Sequence, residues 1–163
     1  MRRVYVVVEG QTEESFVKEA LAEALLPYSV YLTPLLLRRT GGNPTFARLK
    51  RDVIVQLKRD DSAYCSTMLD FYRLGTDFPG VPLPANLSGI EKVLRIEQAV
   101  KGEIIRELPD LRAELRFLPY IQLHEFEGLL FSDPLAFAQD IYKPDLAASF
   151  QDTGRISDSR GYQ

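Results

Sequence analysis

With a single cysteine, Cys65, the chain can form no internal disulfide. The apolar run around that thiol gives it a packing role of the kind met in a reducing cytoplasm, which is where the protein is expected to reside. Histidine is equally scarce, with His124 its only example. No apolar run reaches the roughly 18 residues a membrane helix needs, so no membrane partner is expected. Met1-Arg2-Arg3 ahead of an apolar stretch resembles the start of a secretion signal, but Glu9 interrupts the stretch too soon for that reading. An excess of positive charge is also missing. Lys and Arg number 20 against 23 Asp and Glu, for a net charge of −3. Nothing global therefore draws the chain to nucleic acid, and any such contact must use a local patch or a bridging metal. There is no internal repeat and no sign of a second domain, and 45% apolar content suffices for one compact domain over about residues 1–150.

What the chain does carry is an alternation of strand and helix signals. Val4-Tyr5-Val6-Val7-Val8 reads as a strand covered on both faces, the habit of a parallel sheet. It ends on Glu9 and Gly10, and a helix follows with Thr12 as its expected N-cap. That helix is predicted to bury Phe16, Val17, Ala20, Leu21, Ala24 and Leu25. Val30–Leu37 is the second strand. Asn43-Pro44 then opens a helix over about 45–59 that turns Phe46, Leu49, Val53 and Leu57 to the core. Tyr64–Tyr72 is the third strand, followed by a Gly- and Pro-rich loop, Leu74–Leu87, whose length hints at function. Ser88 and Glu91 form a capping box for a helix over about 89–108. Its apolar face is read as Ile90, Val93, Leu94, Val100, Ile104 and Leu108. Arg116–Leu123 is the last strand, with Pro119 demanding an edge position or a bulge. Short helices are expected over 124–131 and 134–142, and the polar stretch 151–163 reads as a disordered or truncated tail. These elements make an α/β sandwich with helices on both faces of a mostly parallel four-stranded sheet.

Acidic residues recur at the carboxyl ends of these strands: Glu9, Asp70, and Glu125 with Glu127. In a parallel sheet those ends share one edge, where open α/β sheets bind ligands. Carboxylates so gathered repel by roughly 3 kcal/mol per close pair at an effective dielectric near 20. A hard divalent cation, Mg²⁺ or Mn²⁺, would relieve that repulsion and serve metal-assisted phosphodiester hydrolysis. Plainer readings stand beside this one. Glu13 and Glu14 sit in a first helical turn, where the dipole favours acids; Glu13 remains a catalytic candidate. His124 is either a structural hydrogen-bonding group or a partner of Glu125. Glu97 falls on an apolar stripe, paired with Lys101 or aimed at the acidic cluster or His124. Arg38 and Arg39 lead a basic concentration with Arg48, Lys50 and Arg51, and are placed to hold phosphates. Tyr72 and Arg73 are candidates to contact a nucleotide.

Val8-Glu9-Gly10-Gln11-Thr12-Glu13, Asp70-Phe71-Tyr72 and Tyr120-Ile121-Gln122-Leu123-His124-Glu125-Phe126-Glu127-Gly128-Leu129-Leu130-Phe131 together resemble a Toprim-like family of domains of unknown function (DUF4276). That family looks distantly similar to the Toprim domains of topoisomerases, primases and OLD-type nucleases. The resemblance covers about residues 3–142, and its most specific part is His124-Glu125-Phe126-Glu127. It implies a Toprim-like three-layer α/β/α sandwich with a Mg²⁺ site for nucleic-acid phosphodiester chemistry, often in phage-defence or mobile-element settings. By resemblance Glu9 is the first-motif glutamate, general acid/base or metal ligand, and Asp70 is the first aspartate of the Asp-x-Asp motif. Tyr72 stands where the second aspartate belongs, and Glu125 or Glu127 is the expected substitute ligand. A Mg²⁺-dependent nuclease or related phosphodiester-transfer enzyme is the first expectation. A non-catalytic module partnering an ATPase is the alternative.

Overall fold

The computed structural model describes residues 1–37 and 44–124. The chain divides into two units, Met1–Leu123 and His124–Gln163. The first is an α/β domain built as a three-layer sandwich. Its strands are β1 (Arg2–Val8), β2 (Val30–Leu36), β3 (Tyr64–Asp70), β4 (Phe117–Leu118) and β5 (Ile121–Gln122). The order across the sheet is β2-β1-β3-β4, with β5 also on β3, and every pairing among the described residues is parallel. Segments 124–131, 134–142 and 151–163 lie outside the described residues, apart from His124.

β1 is sandwiched, as its unbroken apolar run predicts. Val7 packs into the larger core with Leu49, Val53, Leu57, Leu69 and Ile96, while Val6 and Val8 join Val17 on the opposite face. Val7 and Val8 have no exposed surface, and burying each contributes about 1.5–3 kcal/mol. The larger core belongs to α3 (Phe46–Arg59) and α4 (Gly89–Glu107). Burial holds the Cys65 thiol there and pushes its pKa up to about 12, which leaves it inert and bears out the packing role. The smaller face is covered by one helical run. It begins as α1 (Gln11–Ser15), passes through a π-helical stretch at Phe16–Leu21, and resumes as α2 (Ala22–Leu25).

Several local expectations are corrected. Gly10, not Thr12, caps α1, because the Glu13 carboxylate reaches back to the Gly10 N–H at 2.9 Å. A Cβ on residue 10 would stand 2.9 Å from that carboxylate, so any larger residue there would push the Glu13 side chain off its present position. The wider π turn rotates the buried stripe, so Val17 is buried while Ala20 and Ala24 face solvent. Thr45 is the N-cap of α3 instead of Asn43, and Asp77 from the long loop accepts the Phe46 N–H at 2.8 Å. That loop is pinned by Phe78, only 2% exposed. The Ser88–Glu91 capping box is present as expected. On α4 the buried stripe is Val93, Ile96, Val100 and Ile104, whereas Ile90 and Leu94 are exposed. The third strand stops at Asp70, since Phe71–Arg73 tightens into a 3-10 turn.

The last strand is interrupted, not bulged. Cys65 faces Phe117 and Leu69 faces Ile121, an equal advance on both strands, so the register is kept across Pro119 and Tyr120. Side chains bridge the break. Thr67 Oγ1 donates to the Tyr120 carbonyl at 2.7 Å and accepts the Tyr120 N–H at 2.8 Å. Glu97 Oε1 accepts the Ile121 N–H at 2.8 Å. Just before β4, Arg116 ends the short helix α5 (Ala113–Arg116) with its side chain buried. Its guanidinium donates to the carbonyls of Ala63 (2.9 Å), Leu111 (2.9 Å), Leu57 (3.0 Å) and Asp60. Two of these belong to the carboxyl end of α3, where orphan carbonyls and the helix dipole both favour a cation.

Replacing Arg116 with methionine keeps the apolar stem and removes the guanidinium from all four carbonyls, of which Asp60 keeps the Ala63 N–H at 3.4 Å. A loss of about 2–4 kcal/mol of unfolding free energy is expected, because buried acceptors left unmatched cost about 1–3 kcal/mol each with partial relief by water. Urea denaturation measures it, and a loss below about 1 kcal/mol would show that Arg116 does not clamp α3 to β4.

Candidate functional site

The strand order creates one natural site. From β1 the chain crosses to β2 on one side, then returns through α3 to β3 on the other. The carboxyl ends of β1 and β3 therefore flank a topological switch point, where loops diverge and leave a crevice. Glu9 follows the last residue of β1, and Asp70 is the last residue of β3. With Val8 opposite Met68, parallel pairing brings Glu9 and Asp70 to the same level of the sheet. Both are buried, at 2% and 5% exposure, as is Glu13 at 7%. Three acids share this corner because the sheet fixes two of them and the α1 cap folds the third back over Gly10.

Arg73 completes the cluster. The 3-10 turn after β3 brings its Nε to 2.7 Å from Glu9 Oε1. The arginine side chain is 48% exposed while that of Glu9 is 3% exposed, so the pair runs from the solvent into the sheet edge. The Glu9 pKa is raised. Burial is the main cause; the Arg73 guanidinium opposes it, while the Asp70 and Glu13 carboxylates add to it. Attraction to one arginine does not offset desolvation and two neighbouring acids, so Glu9 holds a proton more readily than an ordinary glutamate.

The other candidates fall apart from this corner or outside what is described. Glu97 serves the Ile121 amide, and burial raises its pKa while that hydrogen bond opposes the shift. It thus pairs with neither Lys101 nor the acidic cluster; its apolar-stripe position reflects a structural bond across to β5. Tyr72 is 68% exposed and meets Phe71 edge-on, with ring centroids 5.2 Å apart. His124 is exposed and opens the second unit. Arg38, Arg39, Glu125 and Glu127 lie outside the described residues. Of the remaining basic group, Lys50 pairs with Glu107 at 2.9 Å and Arg51 with Asp52 at 3.4 Å, as a solvated face does. The Arg73–Glu9 contact is absent from the expectations, because nothing in the spacing of residues 9 and 73 announces it.

Among the described residues no group of three or more His, Cys, Asp or Glu side chains forms a metal cage. A closed all-protein site, such as zinc demands, does not fit. Mg²⁺ asks for less, namely one or two carboxylates with water and substrate oxygens completing its shell. Glu9 and Asp70, hard oxygen donors at neighbouring strand ends, fit that smaller requirement.

The raised Glu9 pKa has a consequence for stability. Between the ordinary carboxylate value of 4.5 and the raised one, the folded chain binds more protons than the unfolded chain. Stability therefore falls as pH rises through that interval, and the loss persists above it. Glu9→Gln removes this penalty. Its stability relative to the wild type is expected to be higher at about pH 7 than at about pH 4 in paired urea denaturations. A relative stability that is flat or falls between those conditions would contradict the buried-acid assignment.

No curated protein and no solved structure matches the chain. The model of one protein family does, over residues 8–159, which takes in the end of β1 at Val8, the Glu9 and Asp70 positions, and every later element of the first unit. The chain belongs to that family, a domain of unknown function (DUF4276).

Proposed function

We propose that this domain is a Toprim-like, metal-dependent enzyme of phosphodiester chemistry acting on nucleic acid. The observation that carries the reading is the placement of Glu9 and Asp70, two buried carboxylates, at the switch point between β1 and β3. Glu9 and Asp70 would hold Mg²⁺ or Mn²⁺, which when bound supplies Lewis-acid activation of water and of a phosphoryl oxygen. Glu9, whose pKa burial raises above the ordinary carboxylate value, is suited to take up or release a proton at its carboxylate. Arg73 is half-exposed beside it, and a guanidinium there can meet phosphate oxygens in bidentate fashion. Tyr72 offers an exposed ring on which a base can stack. The net charge of −3 makes such local cationic and metal contacts necessary, since the whole-protein field repels a polyanion.

A second reading is a non-catalytic module that partners an ATPase in a defence or mobile-element complex. The Arg73–Glu9 ion pair favours it, because an internal cation already relieves the acidic corner. So does Tyr72, an exposed side chain at the position of the second Asp-x-Asp ligand.

Incubation with end-labelled DNA and RNA in Mg²⁺ or Mn²⁺ separates the two. Cleavage is expected for the wild type and a loss of about a hundredfold or more for Glu9→Gln and Asp70→Asn. Equal cleavage by all three proteins would remove the site from the chemistry, and no cleavage of either polymer would favour the binding module.

A further inference from the structure

We propose that Arg73 is a displaceable counter-ion, holding the place of the metal on Glu9 and moving to substrate phosphate when the metal arrives. This rests on the metal-site reading and adds a switch within it. The geometry supplies three reasons. First, the contact that joins the pair runs through Nε, 2.7 Å from Glu9 Oε1. Among the described residues the guanidinium makes no other hydrogen bond or ion pair, which leaves both Nη groups for an anion. Second, the exposures are unequal. The carboxylate is buried in the sheet edge and the arginine is nearly half open, so Arg73 can leave without disturbing the core while Glu9 stays fixed. Third, Arg73 ends a short 3-10 turn, Phe71–Arg73, that springs directly from Asp70. The same turn thus carries one proposed ligand and the cation that competes for the other.

Charge compensation explains why such a residue is useful. Glu9, Asp70 and Glu13 repel one another in a buried corner, which a cation must relieve at every stage. Without metal, Arg73 does so. With metal bound, the arginine is attracted less to Glu9 and repelled by the ion, and its planar fork suits an incoming phosphate. An exposed arginine pays for this exchange with little more than one ion pair in a partly screened setting.

Isothermal titration with Mn²⁺ alone tests the switch without any substrate. Arg73→Met is expected to bind Mn²⁺ about tenfold or more tightly than the wild type, the equivalent of at least one pKa unit of lost competition. The wild-type protein gives an independent readout by NMR. The Arg73 Nε–H resonance, sheltered by the ion pair, should shift and exchange faster with water at saturating Mg²⁺. Equal or weaker Mn²⁺ binding by Arg73→Met, or an Arg73 resonance unmoved at saturating Mg²⁺, overturns the counter-ion role while leaving the metal site standing. Absence of Mn²⁺ binding at millimolar metal in both proteins overturns the metal-site reading itself, and this inference with it.

Discussion

The pairing of β1 with β3 is the constraint on which the candidate site depends. Both strands run in parallel with their apolar residues divided between two faces, so neither can slip by one residue without exchanging the side chains that its two cores are packed around. That fixed register carries Glu9 and Asp70 to one level of the sheet. It also leaves them buried, since the helical run after Gly10 and the turn after Asp70 close over the strand ends. A pair of acids in such a place is electrostatically unfavourable, and the raised Glu9 pKa is the measure of that cost.

The far side of the sheet solves a different problem. Pro119 removes a ladder donor and breaks the last strand into two short pieces. Thr67 from the neighbouring strand and Glu97 from α4 supply side-chain bonds to the interrupted strand, and Arg116, just ahead of it, anchors to carbonyls around the end of α3. Each draws a different element into the repair, so the interruption becomes a junction that ties α3, α4 and β3 to the last strand. Glu97 and Glu9 are both buried acids with raised pKa values, yet only Glu9 stands at the switch point. Position in the topology, and not the titration shift, separates the structural acid from the functional candidate.

Much of this was legible in the sequence. The uninterrupted Val4–Val8 run signalled a strand buried on both faces, and the Leu49, Val53, Leu57 spacing signalled the core face of α3. The Ser88–Glu91 box marked the start of α4 to the residue. Asp70, an acid in an apolar strand, stood out as a site residue, and it sits where it was expected. Periodicity misled on two helices. The π-helical stretch rotated the stripe of the first helix away from Ala20 and Ala24, and α4 turned Ile90 and Leu94 outward. A fixed 3.6-residue repeat has no term for an inserted π turn.

The sequence by itself determined the layered α/β class and the strand-end acids, because both follow from local pattern: which residues alternate, which run together, and where glycine or a cap stops them. Only the tertiary structure decided what each charge is for. Glu13 turned back to Gly10, Glu97 reached the Ile121 amide, Arg116 gathered four carbonyls, and Arg73 came to rest on Glu9. All but the first of these contacts join residues more than twenty positions apart or gather carbonyls from separate elements. Long side chains find such partners through the packing of whole elements, and no spacing along the chain encodes them.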